Sequence, residues 1–180
     1  MAIGQTVARG IGTGFLATQA LDLVSIWLYE NLDWKTREHE DTARSGRQAY
    51  EVAVDKIARG LGYSLSEDQL KFWGWKFHRA FGLLGGLQYL LLRRKFPQIG
   101  RGLGLGYGIA FFLVADQFLI YLLKLTPGPT QFPFRTHARG AIAHIAYGVV
   151  AELAARSYER ITPYEQSNEM VGVTGTHAYA

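Results

Sequence analysis

The sequence predicts an all-α integral membrane protein: a four-transmembrane-helix bundle of two duplicated helical hairpins, with an amphipathic surface helix in the first loop. Three observations carry this. Charge is nearly absent from two long windows, with only Asp22 in residues 10–29 and only Asp116 in residues 102–123. Windows of about 20 apolar residues are what the hydrocarbon of a bilayer requires. The pattern G-x-G-x-G-x7-D occurs twice, starting at Gly10 and at Gly104, and H-x-A-[FY]-G-[LV]-[LV] occurs twice, at His78 and at His144.

Each element follows from its local pattern. Helix 1 is expected over about 5–31, where the first apolar window lies. It does not read as a signal peptide: only Arg9 precedes the run, Asp22 interrupts it, and no small-residue cleavage site ends it. A long charged insertion follows. Within it, R-Q-A-Y-E-V-A-V-D-K-I-A-R-G-L-G puts Tyr50, Val54, Ile57 and Leu61 on one helical face and Glu51, Asp55 and Arg59 on another. This predicts an amphipathic helix over about 46–62, lying on the membrane or capping the bundle. S-L-S-E-D then offers N-caps for helix 2, about 70–93. R-R-K-F-P-Q-I-G-R-G turns tightly into helix 3, about 102–125, and L-T-P-G-P-T-Q-F-P-F must be a loop. Helix 4 is expected over about 137–159, which closes a membrane domain of residues 1–162 and leaves 163–180 as a polar tail. The hairpin repeats are then about 5–93 and 102–159.

At 48% hydrophobic and 19% charged, total composition matches soluble proteins, so it is the distribution that places the chain in a membrane. Zero cysteines exclude disulfides and thiolate metal sites. The net charge of +4 comes from basic residues clustered at helix ends, which suits lipid headgroups; nucleic acid is not an expected partner. The link at 93–101 holds four basic residues and no acid, which puts both termini in the cytoplasm of a multi-pass protein. The partners expected are the lipid bilayer and either further copies of the chain or a larger membrane complex.

The duplication sets the candidate site. In each hairpin the Asp of one helix and the His of the next fall at matching depth, about 12–15 Å from the loop side at 1.5 Å per residue. Asp22 is therefore expected to meet His78, and Asp116 to meet His144, with Glu152 two turns beyond His144. Gly10, Gly14, Gly82 and Gly86 in the first hairpin, and Gly104, Gly108 and Gly148 in the second, form the small faces on which helix backbones approach closely in lipid. Four uses of this polar level stay open: structural hydrogen-bonded pairs, a proton-responsive or proton-conducting element, a metal site, and a small-solute carrier or enzyme. No metal-ligand spacing, activated nucleophile or phosphate loop accompanies it, so no metal, cofactor or catalytic residue is assigned and no enzyme is expected. Arg79 and Lys76 are expected to snorkel toward headgroups, E-H-E-D at 38–41 to be a solvated loop, and His137 and His177 to be exposed.

With these residues in view, the chain resembles the YagU-like family of small bacterial inner-membrane proteins over most of residues 7–160. The resemblance is carried by L-Y-E at the end of helix 1, A-Y-E-V-A in the insertion and His78. F-P-Q-I-G-R-G-L-G-L-G-Y-G, the L-T-P after helix 3 and A-H-I-A-Y-G-V-V-A-E complete it. It implies an inner-membrane location and a link with acid tolerance, and it supplies no catalytic residues. The charged 34–68 loop is longer than in the shorter members. The expected function is a small inner-membrane protein with a paired Asp/His site acting in acid-stress physiology. The alternatives are an accessory subunit of a larger membrane complex and a carrier of small solutes or metal ions.

Overall fold

A computed structural model describes residues 3–161, and among them every regular element is helical. In chain order these are α1 (Ile3–Glu30), α2 (Trp34–Arg44), α3 (Ala49–Gly60) and α4 (Glu67–Lys95). A 3-10 segment (Pro97–Gly104) leads to α5 (Leu105–Val114), a π-helical turn (Ala115–Leu119) and α6 (Ile120–Leu122). A 3-10 turn (Pro129–Gln131) precedes α7 (Phe134–Ile161). The polar tail at 163–180, with His177, lies outside the described residues.

Two stretches, Ile3–Glu30 and Pro97–Leu122, are long and apolar enough to cross a membrane. Neither is a buried core helix: Phe15, Leu23 and Trp27 of the first and Leu113, Val114 and Phe118 of the second are more than half exposed. Helices α4 and α7, at 29 and 28 residues, are as long as α1, but their charges keep them below that threshold. Four spans were expected from the sequence; by length and composition two qualify.

Helix α1 packs on both α4 and α7, and α5 packs on α7. The α1–α4 contact runs backbone to backbone. A Cβ on Gly14 would stand 2.6 Å from the Cα of Leu83, and one on Gly10 2.8 Å from the Cα of Leu87; one on Gly86 would collide with the backbone of Gly14. The α5–α7 contact uses the same device, because Cβ atoms on Gly104 and Gly108 would strike the carbonyls of Gly148 and His144. Close approach of this kind maximises van der Waals contact where no water drives association. Helices α4 and α5 instead meet through rings. Tyr107 hydrogen-bonds to the Gly85 carbonyl at 2.8 Å, Phe111 stacks on Phe81, and Tyr147 of α7 reaches the Gly82 carbonyl at 2.6 Å. Tyr89, Tyr107 and Tyr147 form the core with Ala17, Ala151 and Ala155.

The connector between α1 and α4 is more ordered than its charge suggested. Asp33 caps α2, accepting from the Thr36 amide at 3.0 Å and the Thr36 hydroxyl at 2.7 Å. Helix α3 occupies the amphipathic segment and lies on α4, where a Cβ on Gly74 would meet Glu51 and Tyr50. Its Lys56 donates to the carbonyls of Leu123 and Lys124 at 2.8 and 3.0 Å, tying it to the end of α6. Ile57 and Leu61 of the expected apolar face stay exposed, since Ala53 and Ala58 supply the buried contacts. Ser66 begins α4 with the reciprocal capping pair, its amide donating to Gln69 at 2.9 Å.

Candidate functional site

The Asp and His residues of both hairpins line a single half-enclosed cavity of about 540 Å³ at the α2–α3 end of the bundle. In the first hairpin, Asp22 Oδ1 and His78 Nε2 are 2.8 Å apart. A carboxylate only accepts, so Nε2 carries the shared proton. Two aromatic rings flank the imidazole, and a guanidinium backs one of them. Trp75 stacks on it at 5.5 Å between ring centres, Tyr50 lies at 5.3 Å, and Arg79 sits 4.6 Å above the Trp75 ring. Arg79 does not snorkel outward as expected. It hydrogen-bonds to Gln19 and approaches Asp22 Oδ2 at 3.4 Å, because a carboxylate in an apolar interior is a stronger attractor than a distant headgroup. Asp22 Oδ2 is buried and has no hydrogen bond.

The second hairpin differs. His144 is buried and its Nδ1 donates to the Gly140 carbonyl at 2.9 Å, so that nitrogen is committed to its own helix. Asp116 Oδ2 stands 3.8 Å from the same Nδ1, beyond hydrogen-bond range. Asp116 also lies within the π-helical turn, whereas Asp22 lies in a regular α-helix. An i→i+5 turn carries more residues per revolution and redirects the side chains on it. His144 and Asp116 therefore meet at ion-pair distance without the direct hydrogen bond that joins His78 to Asp22, and Asp116 presents a carboxylate 38% exposed to the cavity.

Glu152 does not extend this level. It is 1% exposed at the opposite end of the bundle, where Arg93 and Arg156 each donate at 2.6 Å and Tyr89 hydrogen-bonds to it. Arg93 continues to Glu159 at 2.5 Å. This ion network closes the helix ends around Gly100, where a Cβ would stand 2.8 Å from Glu152 Oε1.

Glu40 was not singled out from the sequence as a site residue, and the E-H-E-D run containing it is not a solvated loop. It is helical, and Glu40 is 1% exposed, accepting from Arg44 at 2.8 Å, from Thr136 at 2.8 Å and from Arg139. Its one signal was the i, i+4 spacing of Glu40 and Arg44. Arg139 adds a bond to Ser25 at 3.0 Å, while its Nε is buried without a partner. His137 is partly buried, its Nε2 3.0 Å from the Pro129 carbonyl. Outside the two candidate spans, the Thr36 hydrogen bonds hold the Asp33 carboxyl below the usual carboxylate range, and burial raises the Tyr50 phenol. Among the described residues, no three His, Cys, Asp or Glu side chains gather as a metal site.

A family model described as protein of unknown function, DUF1440, matches residues 37–153. The match covers both candidate histidines, Asp116 and Glu40, and starts after α1. No curated protein and no solved structure matches the chain.

Proposed function

We propose, for a chain that belongs to the DUF1440 family of proteins of unknown function, that it is a small multi-pass protein of the bacterial inner membrane whose cavity is a proton-responsive site. The observation that carries this reading is the convergence of Asp22, His78, Asp116 and His144 on one cavity. Histidine is the side chain that ordinarily changes charge in the physiological range, and His78 is held between a carboxylate and an aromatic ring. A second proton, on Nδ1, makes it an imidazolium that Asp22 neutralises. Arg79 then competes for the same carboxylate. Asp116, with no hydrogen bond from His144, is the open acceptor on the opposite wall.

On this reading α1, α4, α7 and the composite Pro97–Leu122 stretch all span, with both termini cytoplasmic. The charges of α4 and α7 are tolerable in hydrocarbon because they are paired: Glu152 with Arg93 and Arg156, Arg139 with Glu40. The resemblance to YagU-like proteins supplies the physiological setting, acid stress. One alternative has a specific observation behind it, an accessory subunit of a larger complex. Ile57, Leu61 and Tyr63 at the α3 end are 52%, 70% and 66% exposed, and a partner protein could cover them as well as lipid.

The test is proton flux into liposomes holding the purified chain, under an imposed pH gradient with an internal pH dye. Flux above empty liposomes that disappears in a folded Asp22→Asn, Asp116→Asn double variant supports the reading. No flux in the parent, together with loss of stability in the variant, makes the pairs structural and favours the accessory role.

A further inference from the structure

A second cavity, of about 700 Å³, lies between α4 and α5 on the side of the bundle where these helices meet only through aromatic rings. Its walls are apolar, formed by Leu84, Leu92, Ile99, Ala110, Val114 and Leu119. Leu84 and Val114 are 64% and 53% exposed, so the groove opens sideways, away from the core. Polar groups are confined to its side and one end: Gln88, Gln98 and Arg101. From Gly106 to Leu119 the groove follows the helix axis for about 20 Å, slightly more than the roughly 15 Å of hydrocarbon in one leaflet.

Charge at the mouth is one-sided. Arg101 is exposed and engages no acidic side chain among the described residues, and Arg94 and Lys95 end the neighbouring helix. Glu152, which lies against Gly100, and Glu159 are already engaged by Arg93 and Arg156. A slot with an apolar body open toward the bilayer and an unneutralised guanidinium at its interfacial end fits one kind of occupant. We infer that this groove binds an anionic phospholipid, with an acyl chain along α5 and the phosphodiester at Arg101. Basic pockets between membrane helices bind anionic headgroups by this chemistry. The inference rests on the membrane reading above, but it concerns a different cavity and owes nothing to proton chemistry.

Gly106 gives a clean variant, because a Cβ there meets no atom within 4 Å and a larger side chain enters the groove alone. Purified full-length chain is delipidated in detergent, offered equal phosphatidylglycerol and phosphatidylcholine, and weighed intact by native mass spectrometry. The expected result is retention of one phosphatidylglycerol, preferred about fivefold, the factor one cation supplies near an anionic surface. Arg101→Gln removes the preference, and Gly106→Leu removes retention of both lipids while monodisperse elution and helicity stay unchanged. Equal retention of the two lipids, or a preference that survives Arg101→Gln, overturns the inference. A chain that remains monodisperse with neither detergent nor lipid overturns the membrane reading and this inference with it.

Discussion

At Glu152 two guanidinium groups and a phenol converge on a carboxylate that solvent hardly reaches. Removing one partner of a buried charge network leaves the others uncompensated, so Glu152→Ala should cost on the order of 3–5 kcal/mol. Thermal unfolding in detergent checks this, with Tyr147→Phe as the contrast: it loses one neutral hydrogen bond, to Gly82, and about 1 kcal/mol. Leu103 points the other way. It is a non-glycine residue at φ 57° on an exposed turn, so Leu103→Gly should stabilise the chain by roughly 1 kcal/mol. The site residue with the most direct reporter is His78, stacked on Trp75. A cation against an indole quenches it. Tryptophan emission in the parent should therefore fall as pH is lowered, while His78→Gln stays flat. A parent as flat as the variant would remove His78 as the responsive group. The Asp22–His78 contact was legible because depth alone sets it: two residues at one level on adjoining helices. The gap between Asp116 and His144 was not legible, because the π turn and the competing Gly140 carbonyl are backbone events that residue spacing does not encode.

Helices register the same contrast between backbone contact and open space. Gly86→Ala forces a methyl into the backbone of Gly14 and should cost about 1–3 kcal/mol. Gly106→Ala enters empty space within a helix and should gain up to about 1 kcal/mol, so the two substitutions should move the melting temperature in opposite directions. The glycine register of both hairpins could be read from the sequence, since small residues every fourth position have few other uses in apolar helices. Helix α2 could not. It has no apolar stripe; what holds it is the Asp33 cap and the convergence of Arg44, Thr136 and Arg139 on Glu40. The cap has a pH signature. Because the folded-state carboxyl titrates below its unfolded value, the stabilisation it gives is present above the ordinary carboxylate range and is lost as pH falls through the folded value. The Thr36 amide resonance should shift in that acid window in the parent and stay constant in Asp33→Asn, which keeps the cap without the titration.

For the molecule as a whole, the absence of cysteine makes topology directly testable. A single Cys introduced in place of Lys124 should react with an impermeant maleimide in intact cells. One in place of Lys95 should react only after lysis, since the proposed orientation puts these positions on opposite faces. Labelling of both in intact cells would remove the four-span arrangement. The order of contacts around the bundle has a mechanical meaning. Three of its four sides, α4 to α1, α1 to α7 and α7 to α5, are broad helix-on-helix contacts, two of them with backbones touching at glycines that leave no slack for sliding. The fourth, between α4 and α5, is a row of rings and the Tyr107 hydroxyl. The assembly thus resembles a clasp with one compliant edge: any breathing motion that widens the polar chamber must be taken up by rings turning along that edge, and whatever wedges into it from outside sets how far the clasp can open.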